Sequence, residues 1–227
     1  MKSFECGYVP ARTTDHGVAV VIYGLNPIPG QLDGTISTLA ESNDVFTYSY
    51  GNDVVMGGDP SALPELISKI HADVQDKTAS TDPERIRMVG ASLGSCVAFN
   101  IQKQLGLPLP GIYYAAGVNI ARNVMRNPLF LPARKAFVQN EVRVKELDQA
   151  WQEIDTYHHR PPLVPGICVV SRLDPVVPYP FAKRNMVAWQ EAGSRIKVLP
   201  NWAPLHTAAI GHADANIREI LSIASLL

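Results

Sequence analysis

Residues Arg85–Gly106 read RIRMVGASLGSCVAFNIQKQLG, and the fold turns on them. An apolar strand over 85–89 runs straight into a helix over about 93–105, joined by Gly90-Ala91-Ser92-Leu93-Gly94. This is a Gly-x-Ser-x-Gly pattern between a strand and a helix, the context that gives it chemical meaning. So tight a turn strains the serine backbone. It also needs glycines on either side, because only residues without Cβ let strand and helix approach closely. The outcome is a Ser92 hydroxyl held clear of the sheet and a Leu93 N–H at a helix start, where unpaired donors and the helix dipole favour negative charge. The competing reading of Ser92 is a helix cap in a glycine turn. Ser95 is a poorer nucleophile candidate because it falls inside the helix.

Working outward, further apolar runs alternate with helical stretches. Strands are expected at 18–23 (VAVVIY), 45–50 (VFTYSY), 111–115 (GIYYA), 167–170 (ICVV) and 196–199 (IKVL). Helices are expected at 35–41, from Pro60 with Leu63, Leu66, Ile67, Ile70 and Val74 on one face, at 181–192, and at 215–226. Alternating strands and helices imply a mainly parallel sheet of about six strands, and continuous apolar strands imply helices on both faces. The interval 118–165 is too long for an ordinary connection. Val144, Leu147, Trp151 and Ile154 give it an amphipathic stripe, and Pro128, Pro132 and Pro161-Pro162 punctuate it. The expected organisation is a core of 1–117 and 166–227 with a helical cap inserted at 118–165.

The chain has 227 residues, 46% of them hydrophobic, and a formal charge of -1, enough for one domain with a sizeable core. That balance, with no run of Lys or Arg, gives no electrostatic reason to expect nucleic acid or an anionic membrane as partner. No signal peptide is visible and no run reaches the ~18 apolar residues of a membrane span. Cys6, Cys96 and Cys168 have neither disulfide nor metal spacing, and Cys96 and Cys168 fall in apolar surroundings as reduced thiols. A cytoplasmic location is the default expectation; oligomeric state is not legible.

From Val18 onward the order of elements around the Ser92 turn resembles the α/β-hydrolase superfamily, in a serine esterase or lipase-like form. The first two strands of the larger fold have no counterpart in this reading. The resemblance implies a triad in the order serine, acid, histidine, with the acid after a late strand and the histidine after the last. Asp174 lies just past the strand at 167–170, in SRLDPVVPYP, and is the expected acid; the competing reading is an Asp-Pro turn. Asp155 and Glu153 are weaker candidates within the cap. Two histidines follow the last strand. His206 comes seven residues after Leu199 and 32 after Asp174, and is preferred; His212, after a glycine, is the alternative base. Oxyanion donors would be the N–H groups of Leu93 and, by the match to the loop after the first strand, Leu25; Tyr23 stands where the family often has histidine.

His158-His159 lacks the spacing and accompanying ligands of a metal site, and no metal or cofactor is implied. His16 and His71 read as surface residues. Val124, Met125, Leu129, Phe130, Leu131, Phe137 and Val138 either line an apolar pocket or pack the cap. Arg122, Arg126, Arg134 and Lys135 read as a solvated face, with an anionic substrate group as the alternative. The expected activity is hydrolysis of a small carboxylic ester or thioester through an acyl-enzyme on Ser92. A peptidase or acyltransferase on the same residues, and a non-catalytic ligand-binding module, are the alternatives. A serine nucleophile disfavours dehalogenase or epoxide-hydrolase chemistry. A histidine base implies that turnover falls as imidazole takes up a proton.

Overall fold

The structure, a computed structural model, describes residues 4–106, 110–116, 119–155 and 166–224. Seven strands form one sheet: β1 (Phe4–Val9), β2 (Gly17–Ile22), β3 (Asn43–Tyr50), β4 (Ile86–Ala91), β5 (Gly111–Tyr114), β6 (Gly166–Ser171) and β7 (Ile196–Asn201). Their spatial order is β1-β3-β2-β4-β5-β6-β7, parallel throughout except for β1, which runs antiparallel to β3. β2 and β6 are buried along their whole length, as continuous apolar runs in a covered parallel sheet should be.

Six of these strands are the ones legible from hydrophobic runs; β1 is the addition. Its FECGYV is largely exposed and carries a central glycine, so it has no apolar signature. It is held by backbone pairing to β3 and by Asp44, which accepts from the Tyr8 hydroxyl (3.0 Å) and the Ala11 N–H (2.9 Å).

The helices are α1 (Asp33–Leu39), α2 (Asp53–Met56), α3 (Ala62–Thr78), α4 (Leu93–Leu105), α5 (Ile120–Arg126), α6 (Leu131–Gln139), α7 (Val144–Ala150), α8 (Tyr179–Glu191), α9 (His206–Ala215) and α10 (Ile217–Ala224). α1 packs with α9 and α10; α3 packs on α4, and Phe99 of α4 meets Trp189 of α8 at 5.1 Å between ring centroids. The C-terminal region departs from expectation. It holds two helices that part at Asn216, the first starting at His206, nine residues before the expected 215. Gly211 sits inside α9 and its apolar residues follow no single stripe, so the sequence conceals it.

Between β5 and β6, helices α5 to α7 carry the expected stripe. Leu147, Trp151 and Ile154 are buried, and the Trp151 indole N–H donates to the Pro60 carbonyl at 2.8 Å. The cap's apolar residues divide three ways. Met125 and Phe137 are core, Val124 and Phe130 line a cavity beside Ser92, and Leu129, Leu131 and Val138 face solvent. Cys96 and Cys168 are buried and Cys6 is exposed; burial pushes the Cys168 thiol up, away from reactivity. His16 is exposed and pairs with Asp44 at 2.9 Å. His71 is half-buried rather than on the surface. Its Nε2 has no hydrogen-bond partner among the described residues, and desolvation lowers its affinity for a proton. Among the described residues no helix is long and apolar enough to cross a membrane.

Candidate active site

β4 ends at Ala91 and α4 begins at Leu93, leaving Ser92 alone to make the turn, at φ 55° and ψ -123°. A non-glycine residue held there stores strain that the surrounding structure must over-determine. The two glycines supply that constraint. A Cβ on Gly90 would lie 2.5 Å from the Gly94 carbonyl oxygen, and one on Gly94 would strike the Ile22 carbonyl. The Ser92 N–H is fixed to the Tyr114 carbonyl at 2.8 Å. Although Ser92 occupies the N-cap position, its side chain makes no capping bond, which removes the structural reading of this serine. Ser95 is buried, with its hydroxyl 2.8 Å from the Gly90 carbonyl and 3.0 Å from that of Tyr114, and so is committed to structure.

The Ser92 hydroxyl lies 2.8 Å from His206 Nε2, and His206 Nδ1 lies 2.7 Å from Asp174 Oδ2. A carboxylate can only accept, so Nδ1 carries the proton and Nε2 is left to accept from the serine. The other Asp174 oxygen, Oδ1, accepts from Val176 N–H (2.7 Å) and Val177 N–H (3.0 Å). The intervening Pro175 has no N–H, so it bends the chain without competing for the carboxylate. The Asp174 side chain is fully buried. His206 opens α9 and His212 lies further along it, exposed to solvent, with no contact to Ser92 or Asp174.

Several residues that the sequence does not single out hold these loops. The Ser171 hydroxyl donates to the Ala203 carbonyl at 2.6 Å and accepts from the Leu173 N–H at 3.1 Å, tying the acid loop to the loop before α9. The Arg172 guanidinium lies over the Trp202 ring, 4.7 Å from its centroid. On the other side, Asn26 and Asn52 bond to each other, fixing the chain just after Leu25. α1 follows that loop and lacks a cap of its own. Asp214 of α9 provides one, accepting from Gly34 N–H (3.0 Å), Thr35 N–H (2.6 Å) and the Thr35 hydroxyl (2.5 Å). Asp155 is buried and accepts from the Ile120 N–H at the start of α5, while Glu153 is exposed and pairs with Lys103 at 3.9 Å.

Leu25, Ser92 and Leu93 share the wall of a narrow cavity of about 50 Å³, closed by residues such as Val55, Ile120, Val124, Phe130 and Val177. His158 and His159 lie outside the described residues. Among the described residues no group of His, Cys, Asp or Glu is arranged to hold a metal ion.

No protein-family model matches the sequence, and no curated protein matches it either. Solved structures do match the fold. Est1E from Butyrivibrio proteoclasticus superposes with a TM-score of 0.65 at 15% identity, covering 99% of this chain and 95% of its own. The propionate-bound esterase Est2 from Thermogutta terrifontis gives 0.59 at 17% identity, covering 96% of this chain and 89% of its own. The Pyrococcus horikoshii acylaminoacyl peptidase gives 0.70 at 11% identity over 97% of this chain, which corresponds to 39% of that larger protein. With its strand order, its strained serine turn and these structural neighbours, the chain has the α/β-hydrolase fold.

Proposed function

We propose that the protein is a serine hydrolase that cleaves a carboxylic ester or thioester through an acyl-enzyme on Ser92. The observation that carries this reading is the unbroken hydrogen-bonded chain from Ser92 through His206 to buried Asp174. In this mechanism Ser92 Oγ attacks the substrate carbonyl while its proton passes to His206 Nε2. The carbonyl oxygen becomes an oxyanion facing the N–H groups of Leu93 and Leu25, donors of a kind commonly worth ~3 kcal/mol each. The imidazolium then protonates the leaving alcohol or thiol as its bond to carbon breaks. Water, deprotonated by the same imidazole, releases the acid and restores Ser92. Asp174 holds the tautomer and stabilises the imidazolium.

In the proposed division, residues 118–165 form a cap over a core of 1–117 and 166–227. Ile120 and Val124 of α5 and Phe130 supply the roof of the cavity beside Ser92. Its small volume suits a short acyl chain, in keeping with a structural neighbour solved with propionate and again with butyrate.

The direct test is a fluorophosphonate probe with a panel of p-nitrophenyl esters. The protein should be labelled stoichiometrically and should favour acetate to butyrate over octanoate. Folded protein that takes no label would end the enzymatic reading in favour of a ligand-binding module. Asp174→Asn should keep the fold but lower kcat by ~10⁴-fold, since an amide permits the wrong imidazole tautomer. A loss below tenfold on p-nitrophenyl acetate would remove Asp174 from the mechanism.

A further inference from the structure

A second cavity, of about 540 Å³, opens beside the acid loop and is lined by Arg122, Arg126 and Arg184. Asn123 lines both this cavity and the narrow one at Ser92, and donates to the Val176 carbonyl, two residues past Asp174, at 2.9 Å. The large space therefore adjoins the reaction centre, with Asn123 as the wall they share. Among the described residues its wall includes no carboxylate.

The three arginines come from two helices. Arg122 and Arg126 are one turn apart on α5, and Arg184 is midway along α8. Arg122 is partly neutralised by Asp148, 3.6 Å away. Among the described residues Arg126 and Arg184 have no carboxylate partner. Arg126 in the last turn of α5 complements that helix's dipole, but no such reason applies to Arg184. Two solvent-exposed arginines without a carboxylate partner among the described residues thus meet at one cavity of a chain whose net charge is -1. The rest of the wall is Pro128, Pro175, Pro178 and Phe181, an apolar surface beside the cations, with the amides of Asn119 and Asn127.

We propose that this cavity binds the leaving-group half of an ester that pairs an apolar, preferably aromatic, body with a carboxylate, Arg126 and Arg184 holding the anion. This deepens the serine-hydrolase reading and rests on it. The narrow cavity takes the short acyl group because it lacks the volume for a ring. The guanidinium fork matches a carboxylate in two-point geometry.

The test compares 4-acetoxybenzoate with its neutral methyl ester, on wild type, Arg126→Ala, Arg184→Ala and the double variant, with melting curves as the folding check. Wild type should favour the carboxylate in kcat/KM. Each single substitution should lower that preference about tenfold, the loss of one charge-assisted contact. A preference that no substitution moves overturns the proposal while leaving the serine mechanism intact. Better turnover of 4-acetoxyphenyl phosphate than of the carboxylate overturns the assignment to carboxylates. If neither ester is cleaved and the fluorophosphonate leaves no label, the hydrolase reading falls, and calorimetry with 4-hydroxybenzoate decides the cavity. Binding lost in the double variant supports the anion site; no binding to wild type overturns it.

Discussion

Ser92→Ala should remove ester turnover by about five to six orders of magnitude while the protein melts close to wild type. Both halves follow from the same geometry. The hydroxyl is the atom that forms the covalent bond, and no other described hydroxyl occupies its place, since that of Ser95 is held by two backbone carbonyls. The hydroxyl contributes nothing to capping α4, so its loss leaves that helix's first turn as it was. The backbone stays at positive φ in either case, so the strain is unchanged. The measurement is kcat on p-nitrophenyl acetate with freshly purified variant, alongside fluorophosphonate labelling and a thermal melt. A variant that keeps a tenth of the activity would point to another nucleophile.

His206→Ala should be nearly as severe, at roughly four to six orders of magnitude in kcat, because nucleophile and base act as a unit. His212→Ala should stay within about twofold of wild type, as surface substitutions without partners do. The two histidines lie on one helix, but six residues of helix separate them by about 9 Å along the axis and place them on different faces. Only His206, at the very start of α9, reaches both Ser92 and Asp174. Parallel kcat measurements on the two variants decide the matter. An inactive His212→Ala that still folds, beside an active His206→Ala, would reverse the assignment.

What could be read from the sequence was whatever is written locally. The Gly90–Gly94 turn announces itself because a strand, a glycine pair and a helix stand next to each other in the chain. Asp174 and His206 were accessible because parallel strands put their following loops at one edge of the sheet. The two contact each other, and His206 in turn contacts Ser92. β1 was hidden because an exposed edge strand needs no apolar run. α9 was hidden by Gly211 and by apolar residues scattered around its axis. The Asp214 cap on α1 joins residues 180 apart, and the arginine cavity collects residues from two helices separated by the strand β6. Neither arrangement leaves a trace in any short window of sequence. Arg122 and Arg126 could be noticed on one helix face, but nothing in the chain announces that Arg184 joins them.

The Asp214 carboxylate has one more implication. It works as a hasp: the helix that begins with His206 is bolted to the helix that follows the Leu25 loop. Fraying of the chain's last two helices would therefore set both the proton acceptor and the opposite wall of the reaction centre adrift together. Inactivation from that end would be a single event, well ahead of any melting of the strands.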